Sequence, residues 1–280
     1  MAMTRVTTVT LMEMKTRVEK ITMLTAYDFP TASLLDEAGV DMLLVGDSLG
    51  NVVLGYEDTL PVTMDEMIHH TKAVARGTRR AMVVGDMPFL SYQTSLPEAI
   101  KNGGRFLKEG GAQAVKLEGG SERTGVVRAL VETGIPVMGH LGLTPQSVHQ
   151  LGGFRVQGRD EAAAQRLLQD ALALEEAGVF ALVLEAIPAP LAAQVTSRLQ
   201  VPTIGIGAGP DCDGQVLVVH DMLGLSMRKT PKFVKQYVRL GDCIKDVVRA
   251  YQEEVKNGTF PGPEHCYAVP KSEQPSLSKS

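Results

Sequence analysis

Eight short runs of apolar residues alternate with helical patterns along most of the chain, and this alternation constrains the fold more than any other feature. The runs cover residues 21–26, 42–45, 81–84, 114–117, 136–139, 181–184, 203–206 and 216–219. They are rich in Val, Ile and Leu at consecutive positions, which is typical of parallel strands buried on both faces. Eight strand–helix units in about 230 residues predict a single (β/α)8 barrel, the TIM-barrel fold.

Helix start signals lie between the apolar runs. Thr63, followed three residues later by Glu66, forms a capping-box pattern, and Ser95 before Pro97 is typical of a helix N-cap. The structural alternative is a doubly wound open sheet, which usually has a Gly-rich turn after its first strand. The residues that follow the first run here are Tyr27-Asp28-Phe29-Pro30, so the pattern favours the barrel.

The domain organisation predicted from this pattern is simple. Residues 1–262 are expected to form one catalytic barrel domain with a short N-terminal extension, and a final helix is expected from about Phe233 to Glu254. Residues 263–280 are rich in Pro and Ser and are expected to form a poorly ordered C-terminal tail. A chain of 280 residues can bury a large core without disulfides.

Composition argues against several classes of function. The net charge is −4 and Trp is absent, so neither a general attraction to nucleic acid nor an aromatic stacking platform is indicated. No apolar run approaches the roughly 20 residues of a membrane span, and the N-terminal residues are not expected to act as a secretory signal. Cys212, Cys243 and Cys266 are widely spaced and are expected to be reduced thiols. We therefore expect a cytoplasmic protein.

Polar residues follow five consecutive apolar runs. Asp47, Asp86, Glu118, His140 and Glu185 stand at the ends of the second to sixth predicted strands. In a barrel these ends lie at one face, where the active site is built. Any one acid there could instead cap a helix, and a lone histidine is often structural. The coincidence at five strand ends favours a functional site.

A cluster of buried acids needs a cation. Four acids at one rim would repel one another, and a buried carboxylate is costly unless it is paired or binds a metal. Oxygen-rich sites with few carboxylates suit Mg²⁺. Lys116 and Glu118 are two residues apart on one strand, so both can point into the barrel mouth, where Lys116 can offset a substrate carboxylate. Ser48, which follows Asp47, can add a donor.

A glycine-rich run, Gly205-Ile206-Gly207-Ala208-Gly209, follows the seventh strand. Phosphate sites are frequent near this position in barrels. The spacing is weak evidence alone, and a close-packing turn is the default interpretation.

Several longer strings can be compared with known families. The strings are LTAYD from Leu24, VGDSLGN from Val45, LPVT from Leu60, GDMPF from Gly85, VKLEGG from Val115, GHLGLTPQSVHQLGGFRVQG from Gly139, EAIP from Glu185 and GIGAGPDCDGQVLV from Gly205. Together they resemble the ketopantoate hydroxymethyltransferase (3-methyl-2-oxobutanoate hydroxymethyltransferase) family. They span about residues 24 to 224 in the family's order, with no departure at the matched functional positions, and the tail after about residue 262 lies outside them.

The resemblance implies a (β/α)8 barrel that uses one Mg²⁺ per subunit and 5,10-methylenetetrahydrofolate to convert 3-methyl-2-oxobutanoate to 2-dehydropantoate, the first step toward pantothenate. It implies that Asp47, Asp86 and Glu118 bind the metal and that Glu185 is the general base. The keto-acid positions that it implies are Asp47, Ser48, Asp86 and Lys116. His140 is a possible supporting residue. It also implies a homo-oligomer, often a decamer of two stacked pentamers.

There are two rival functions, one of a related barrel enzyme and one of a different class. A folate-independent carbon–carbon lyase or mutase of the phosphoenolpyruvate mutase/isocitrate lyase type has a similar design. Its lyase members favour a catalytic Cys loop, and no Cys lies near the second to sixth strands. A non-catalytic binding protein on a barrel scaffold has no physical need for costly clustered acids. Dependence of turnover on folate discriminates among these functions.

Overall fold

The structure, a computed structural model, describes residues 4–226 and 230–267. Its strands are β1 (Ile21–Thr25), β2 (Met42–Val45), β3 (Met82–Asp86), β4 (Ala114–Glu118), β5 (Val137–Gly142), β6 (Ala181–Glu185), β7 (Thr203–Ile206) and β8 (Gly214–Leu217). Each strand pairs in parallel with the next, and β8 also pairs with β1, so the sheet closes into a barrel. The predicted (β/α)8 barrel is confirmed.

Helices connect the strands on the outside of the barrel. They are α1 (Thr8–Thr16), α2 (Phe29–Glu37), α3 (Leu49–Val52), α4 (Met64–Gly77), α5 (Leu96–Arg105), α6 (Thr124–Glu132), α7 (Val148–Leu151), α8 (Glu161–Ala177), α9 (Ala189–Arg198), α10 (Val219–Met222) and α11 (Leu240–Asn257). A π-helical turn, Phe106–Gly110, continues α5, and 3₁₀ turns cover Ser121–Arg123, Pro145–Ser147 and Pro263–His265. Within the described ranges, no helix is long and apolar enough to cross a bilayer.

Helix caps form where the sequence predicts them. The Thr63 hydroxyl accepts a hydrogen bond from the Glu66 N–H (3.2 Å), and the Glu66 carboxylate accepts one from the Thr63 N–H (2.7 Å), which completes the capping box of α4. The Ser95 hydroxyl caps α5 at 3.4 Å from the Glu98 nitrogen. These local contacts fix where each helix leaves the barrel rim.

Strand residues alternate between two apolar layers because side chains in a strand point to opposite faces in turn. Leu43 and Val45 face outward and pack in the layer between the sheet and the helices. Met42 and Leu44 belong to the second layer, inside the barrel. That inner layer also contains Met23, Met82, Val84, Ala114, Met138, Ala181, Val183, Ile204 and Val216.

The N-terminal extension forms helix α1, which covers the amino end of the barrel. Leu11 and Met14 are buried within the inner apolar layer. Lys15 pairs with Asp213 at 2.8 Å, directly before β8, and the Val6 N–H donates to the Arg80 carbonyl before β3 (2.8 Å). The bottom of the barrel is therefore sealed by apolar side chains, and any site must lie at the opposite, carboxyl end.

The C-terminal region differs from the expectation. The final helix begins at Leu240, not near Phe233, because the Phe233 ring packs against the glycine turn after β7. A Cβ atom at Gly207, where φ is +63°, would lie 2.7 Å from that ring, which supports the close-packing interpretation of the glycine run. The proposed tail is described only through residue 267, and residues 268–280 lie outside the described residues.

Candidate active site

The strand alternation that builds the inner apolar layer also places the polar side chains at the carboxyl end of the barrel. Asp86 continues the series of Met82 and Val84 on β3, and Glu185 continues the series of Ala181 and Val183 on β6. The same two-residue step leads from Ala114 to Lys116 and Glu118, and from Met138 to His140. Apolar residues therefore occupy the inward positions at the bottom of the barrel, and charged residues occupy the top.

The side chains predicted for the site meet at this carboxyl end. Asp47, Asp86, Lys116, Glu118 and His140 are each no more than 4% exposed. The Glu185 side chain is 16% exposed and is the most open acid of the group. Ser48 is half-buried directly after Asp47. The barrel thus brings together every residue that the sequence placed in the site.

Lys116 lies at the centre of the charged cluster. Its Nζ atom is 2.6 Å from Asp86 Oδ1, 4.0 Å from Glu118 Oε1 and 3.4 Å from His140 Nδ1. The Asp47 N–H donates to Asp86 Oδ2 at 3.2 Å, which ties the end of β2 to β3. One buried ammonium therefore faces several buried carboxylates, and the cluster retains an excess of acidic groups.

Burial and charge shift the pKa values in opposite directions. Burial, with Asp86 and Glu118 nearby, raises the pKa of Asp47 well above its usual range. Burial also raises the pKa of Asp86, and this outweighs the opposing effect of Lys116. Burial disfavours the charge on Lys116, yet the surrounding carboxylates raise its pKa above the ordinary value. The cluster therefore disfavours full ionisation of its aspartates while keeping the lysine charged.

His140 bridges two acids. Its Nδ1 is 3.3 Å from Glu118 Oε1, and its Nε2 is 3.3 Å from Glu185 Oε2. Burial and Lys116 both lower the pKa of His140, but the two carboxylates outweigh them and raise it to about 9. Burial raises the pKa of Glu118, whereas His140 and Lys116 bring it below its ordinary value. The imidazole therefore links Glu118, a proposed metal ligand, to Glu185, the proposed base.

The donor set suits a hard divalent cation. Asp86 Oδ1 and Glu118 Oε1 are buried oxygens whose close contacts are with Lys116 Nζ (2.6 Å) and His140 Nδ1 (3.3 Å), respectively. Across the same ranges, no three acidic, histidine or cysteine side chains converge closely enough on one point to form a ready-made metal cage. Mg²⁺ usually takes only one or two carboxylates and fills its other positions with waters and substrate oxygens, so it does not require such a cage.

Two further residues support the acids, and sequence reasoning did not assign them. Gln146 donates from Nε2 to Asp47 Oδ2 (2.9 Å) and from its backbone N–H to Glu118 Oε2 (3.0 Å). The Tyr92 hydroxyl donates to Gln146 Oε1 (2.8 Å) and accepts from the Glu118 N–H (3.1 Å). Both side chains come from loops that return over the barrel mouth. The one signal was the position of Gln146 within the long string that starts at Gly139.

Two further side chains, Tyr27 after β1 and His220 after β8, also support the site. The Tyr27 and Ser48 hydroxyls form a hydrogen bond of 2.8 Å. The Tyr27 ring lies 5.4 Å from the His220 ring, centroid to centroid. Burial raises the pKa of the Tyr27 hydroxyl above its ordinary value, so Tyr27 stays neutral and can donate or accept. This contact orients Ser48 beside Asp47.

The cysteines lie outside the cluster. Cys212, Cys243 and Cys266 are all free, and only Cys212 of the three is buried. A Cβ atom at Gly205 would lie 3.0 Å from Cys212 Sγ, which places this thiol behind the glycine turn after β7. The acid–base chemistry of the site therefore depends on oxygen and nitrogen groups.

The fold and the buried acids at the barrel mouth define a barrel enzyme, and comparison with known proteins identifies its family. The family model described as ketopantoate hydroxymethyltransferase matches residues 5–263. The chain belongs to the ketopantoate hydroxymethyltransferase family. This confirms the resemblance noted from the sequence strings.

Curated relatives agree along nearly the whole chain. The 3-methyl-2-oxobutanoate hydroxymethyltransferase of Syntrophus aciditrophicus is 64% identical over 263 residues, covering 94% of this chain and 97% of its own. The protein of the same name from Moorella thermoacetica is also 64% identical, with 94% and 98% coverage.

Solved structures with the same fold come from more distant proteins. A phosphonopyruvate hydrolase matches with a TM-score of 0.63 at 12% identity, covering 96% of this chain and 93% of its own. A 2,3-dimethylmalate lyase of the PEP mutase/isocitrate lyase superfamily matches with a TM-score of 0.58 at 16% identity, with 96% and 91% coverage. At such low identity these likenesses establish the barrel alone.

Proposed function

We propose that this protein transfers a hydroxymethyl group from 5,10-methylenetetrahydrofolate to C3 of 3-methyl-2-oxobutanoate, which gives 2-dehydropantoate, the first step toward pantothenate. The observation that carries the proposal is the linear arrangement of Asp86, Lys116, Glu118, His140 and Glu185 across the four neighbouring strands β3 to β6, with contacts of 2.6 to 4.0 Å. It joins a cation-binding group to a base, as the removal of a proton beside a keto group requires.

Asp47, Asp86 and Glu118 are the residues that would hold Mg²⁺. When bound there, the ion supplies Lewis acidity to the keto oxygen and so makes the C3 proton easier to remove. Oxygens of Asp86 and Glu118 contact the side chains of Lys116 and His140, and a cation would compete with these side chains for them. Gln146 holds the other oxygen of Glu118 and one oxygen of Asp47, which limits how these carboxylates rotate.

Asp47, Ser48, Asp86 and Lys116 are the residues proposed to bind the keto acid. Lys116 carries the positive charge that offsets the substrate carboxylate, and its burial makes that attraction stronger than at a surface. Ser48 supplies a hydroxyl whose direction is set by Tyr27. A bound anionic substrate would therefore attract the Lys116 ammonium and weaken its contacts with Asp86 and Glu118.

Glu185 is proposed as the general base that removes the C3 proton. It is the most solvent-accessible acid of the cluster, so a substrate carbon can approach it. His140 lies 3.3 Å from its carboxylate and restrains its orientation. The carbon that loses its proton then bonds to the methylene carbon of 5,10-methylenetetrahydrofolate. Both C–N bonds of that methylene break in the overall reaction, water supplies the hydroxyl group of the product, and tetrahydrofolate leaves. We assign His140 a positioning role and no proton transfer.

We further propose a homo-oligomer, a decamer of two stacked pentamers, located in the cytoplasm. Helix α11 has no buried residue, and a stripe of its side chains is at least 45% exposed. The stripe consists of Ile244, Val247, Val248, Tyr251 and Val255. Its helical spacing makes one continuous apolar face, and such faces usually mark protein interfaces.

We also propose residues 1–262 as the catalytic domain and 263–280 as a tail.

The assay for the proposed function measures 2-dehydropantoate formed from 3-methyl-2-oxobutanoate. Reactions run with and without 5,10-methylenetetrahydrofolate, each with Mg²⁺ or with excess EDTA. We expect turnover only when folate and metal are both present. Carbon–carbon cleavage or rearrangement without folate would instead support a lyase or mutase, a second candidate that shares the barrel fold with the structural neighbours.

A further inference from the structure

A cavity of about 290 Å³ opens beside the charged cluster. It lies between the loops that follow β3, β4 and β5, and its walls include Phe89, Tyr92, Glu122 and Arg123. Its volume is close to the lower end of the roughly 300–1,000 Å³ that is typical of ligand pockets. None of the roles assigned above uses Phe89, Glu122 or Arg123.

The inner end of this cavity reaches the proposed metal site. Glu118 and Gln146 both line it. Gln146 contacts Asp47 at 2.9 Å, and Glu118 contacts His140 at 3.3 Å. A molecule that fills the cavity therefore places one end next to the bound keto acid, while its other end points to solvent.

The cavity walls match a flat, hydrogen-bonding ring. The Arg123 guanidinium lies over the Tyr92 ring, 6.0 Å from its centroid. Arg123 Nε is buried and has no hydrogen-bond partner of normal geometry within the described residues, and the nearest carboxylate oxygen, Glu122 Oε1, is 3.9 Å away. Phe89 remains 37% exposed on a loop where Leu90 has a φ of +64°. These are an unsatisfied donor and an aromatic face directed at the same space.

We propose that this cavity binds the pterin and benzoyl rings of the folate co-substrate, with Arg123 and Phe89 as its principal contacts. The inference rests on the proposed function and adds the location of the second substrate. A pterin is planar and carries an amino-pyrimidine edge that pairs with a carboxylate, which Glu122 provides. Arg123, beside Glu122, provides a guanidinium that can stack on the ring or donate to its carbonyl oxygen.

The test uses two variants of the full-length protein, Arg123→Met and Phe89→Ala. The matched control is Arg128→Met, because Arg128 is an exposed arginine on α6 whose ion pair with Glu176 is long, at 3.9 Å. Binding of 5-formyltetrahydrofolate, a stable folate that cannot donate the methylene, is measured by calorimetry. The KM values for both substrates are measured in parallel, together with deuterium exchange at C3 of 3-methyl-2-oxobutanoate, which needs no folate.

We expect each cavity variant to weaken folate binding and raise the folate KM by roughly 5- to 100-fold, the effect of losing one stacking contact. The keto-acid KM and the C3 exchange rate should change less than about twofold, which also shows that the fold is intact. The Arg128→Met control should match the unaltered protein in all readouts.

Three results would overturn an assignment, and they are distinct. Unchanged folate affinity in both variants, with normal turnover, overturns the cavity assignment alone. A keto-acid KM that rises as much as the folate KM shows that the cavity serves the keto acid. An unaltered protein that forms no 2-dehydropantoate overturns the proposed function itself.

Discussion

Replacing Lys116 by Met tests whether this lysine is the internal counter-charge of the site. Lys116 and Asp86 form a 2.6 Å contact in which both side chains are at most 5% exposed. Removing one partner of a buried pair typically costs about 3–5 kcal/mol, because the remaining charge stays buried and unpaired. Met keeps the volume of the lysine stem, so the loss is mainly electrostatic.

The expected change is large enough to measure by thermal unfolding of the metal-free protein. For a chain of this size, 3–5 kcal/mol corresponds to roughly 5–15 °C in Tm. The loss should be greatest near pH 8 and smaller near pH 5, because Asp47 and Asp86, whose pKa values are already raised, can then take up a proton. Mg²⁺ should restore more stability in the variant than in the unaltered protein, since it replaces the missing positive charge.

The matched control is Lys101→Met, which changes an exposed lysine on α5 and should shift Tm by less than about 1 °C. Affinity for 3-methyl-2-oxobutanoate should fall in Lys116→Met and stay constant in the control. A metal-free Lys116→Met protein with a Tm within 1 °C of the unaltered chain would refute the counter-charge argument. Unchanged keto-acid affinity would remove Lys116 from the substrate site.

Three further predictions concern other residues of the site. Glu185→Gln should reduce kcat by roughly 10²- to 10⁴-fold with little change in keto-acid and metal binding, measured by calorimetry; near-normal turnover would exclude Glu185 as the base. Gln146→Leu should weaken Mn²⁺ binding, measured by electron paramagnetic resonance, by about 10- to 100-fold, whereas Gln150→Leu, at an exposed position on α7, should leave it unchanged. Metal-free protein should lose at most about 3 kcal/mol of stability as pH rises from about 6.5 to about 9, because the pKa of His140 is higher in the folded state. This dependence should disappear in His140→Gln, and its persistence there would assign it to another group.

The barrel and its charged residues could be predicted because both follow from periodicity. Strand runs were recognisable as apolar segments, and the two-residue step from Met82 and Val84 leads directly to Asp86. The position of a residue within its run therefore predicted whether its side chain points into the barrel or toward the helices. It also predicted how close the residue lies to the carboxyl end of the strand. The end of a helix is less constrained by pattern. Helix α11 starts at Leu240 because Phe233 packs on a distant glycine turn, which no local signal reports.

Loop residues were missed for a related physical reason. Gln146 contacts Asp47 across 99 positions of the chain, and Tyr92 contacts Gln146 across 54. Such contacts depend on how two loops fold back over the mouth, and loop conformation has no period that a sequence can display. Glutamine and tyrosine are also common on surfaces, so the residue type alone does not predict that either one is buried in the site. Their function becomes visible only when both are found buried against carboxylates.

The site balances charge differently from a preformed metal cage. Lys116 partly neutralises Asp86 and Glu118 within the folded chain, so the protein can fold without first binding a cation. The remaining acidic excess still favours a divalent ion, and an arriving keto acid gives the lysine a second anionic partner. If this balance is correct, metal and keto acid should bind with positive coupling, because each relieves the charge that opposes the other. Removing Lys116 should abolish much of that coupling while strengthening metal binding in the absence of keto acid, because the metal then replaces the missing positive charge. A cage that held its metal independently of substrate would show no such coupling with or without the lysine.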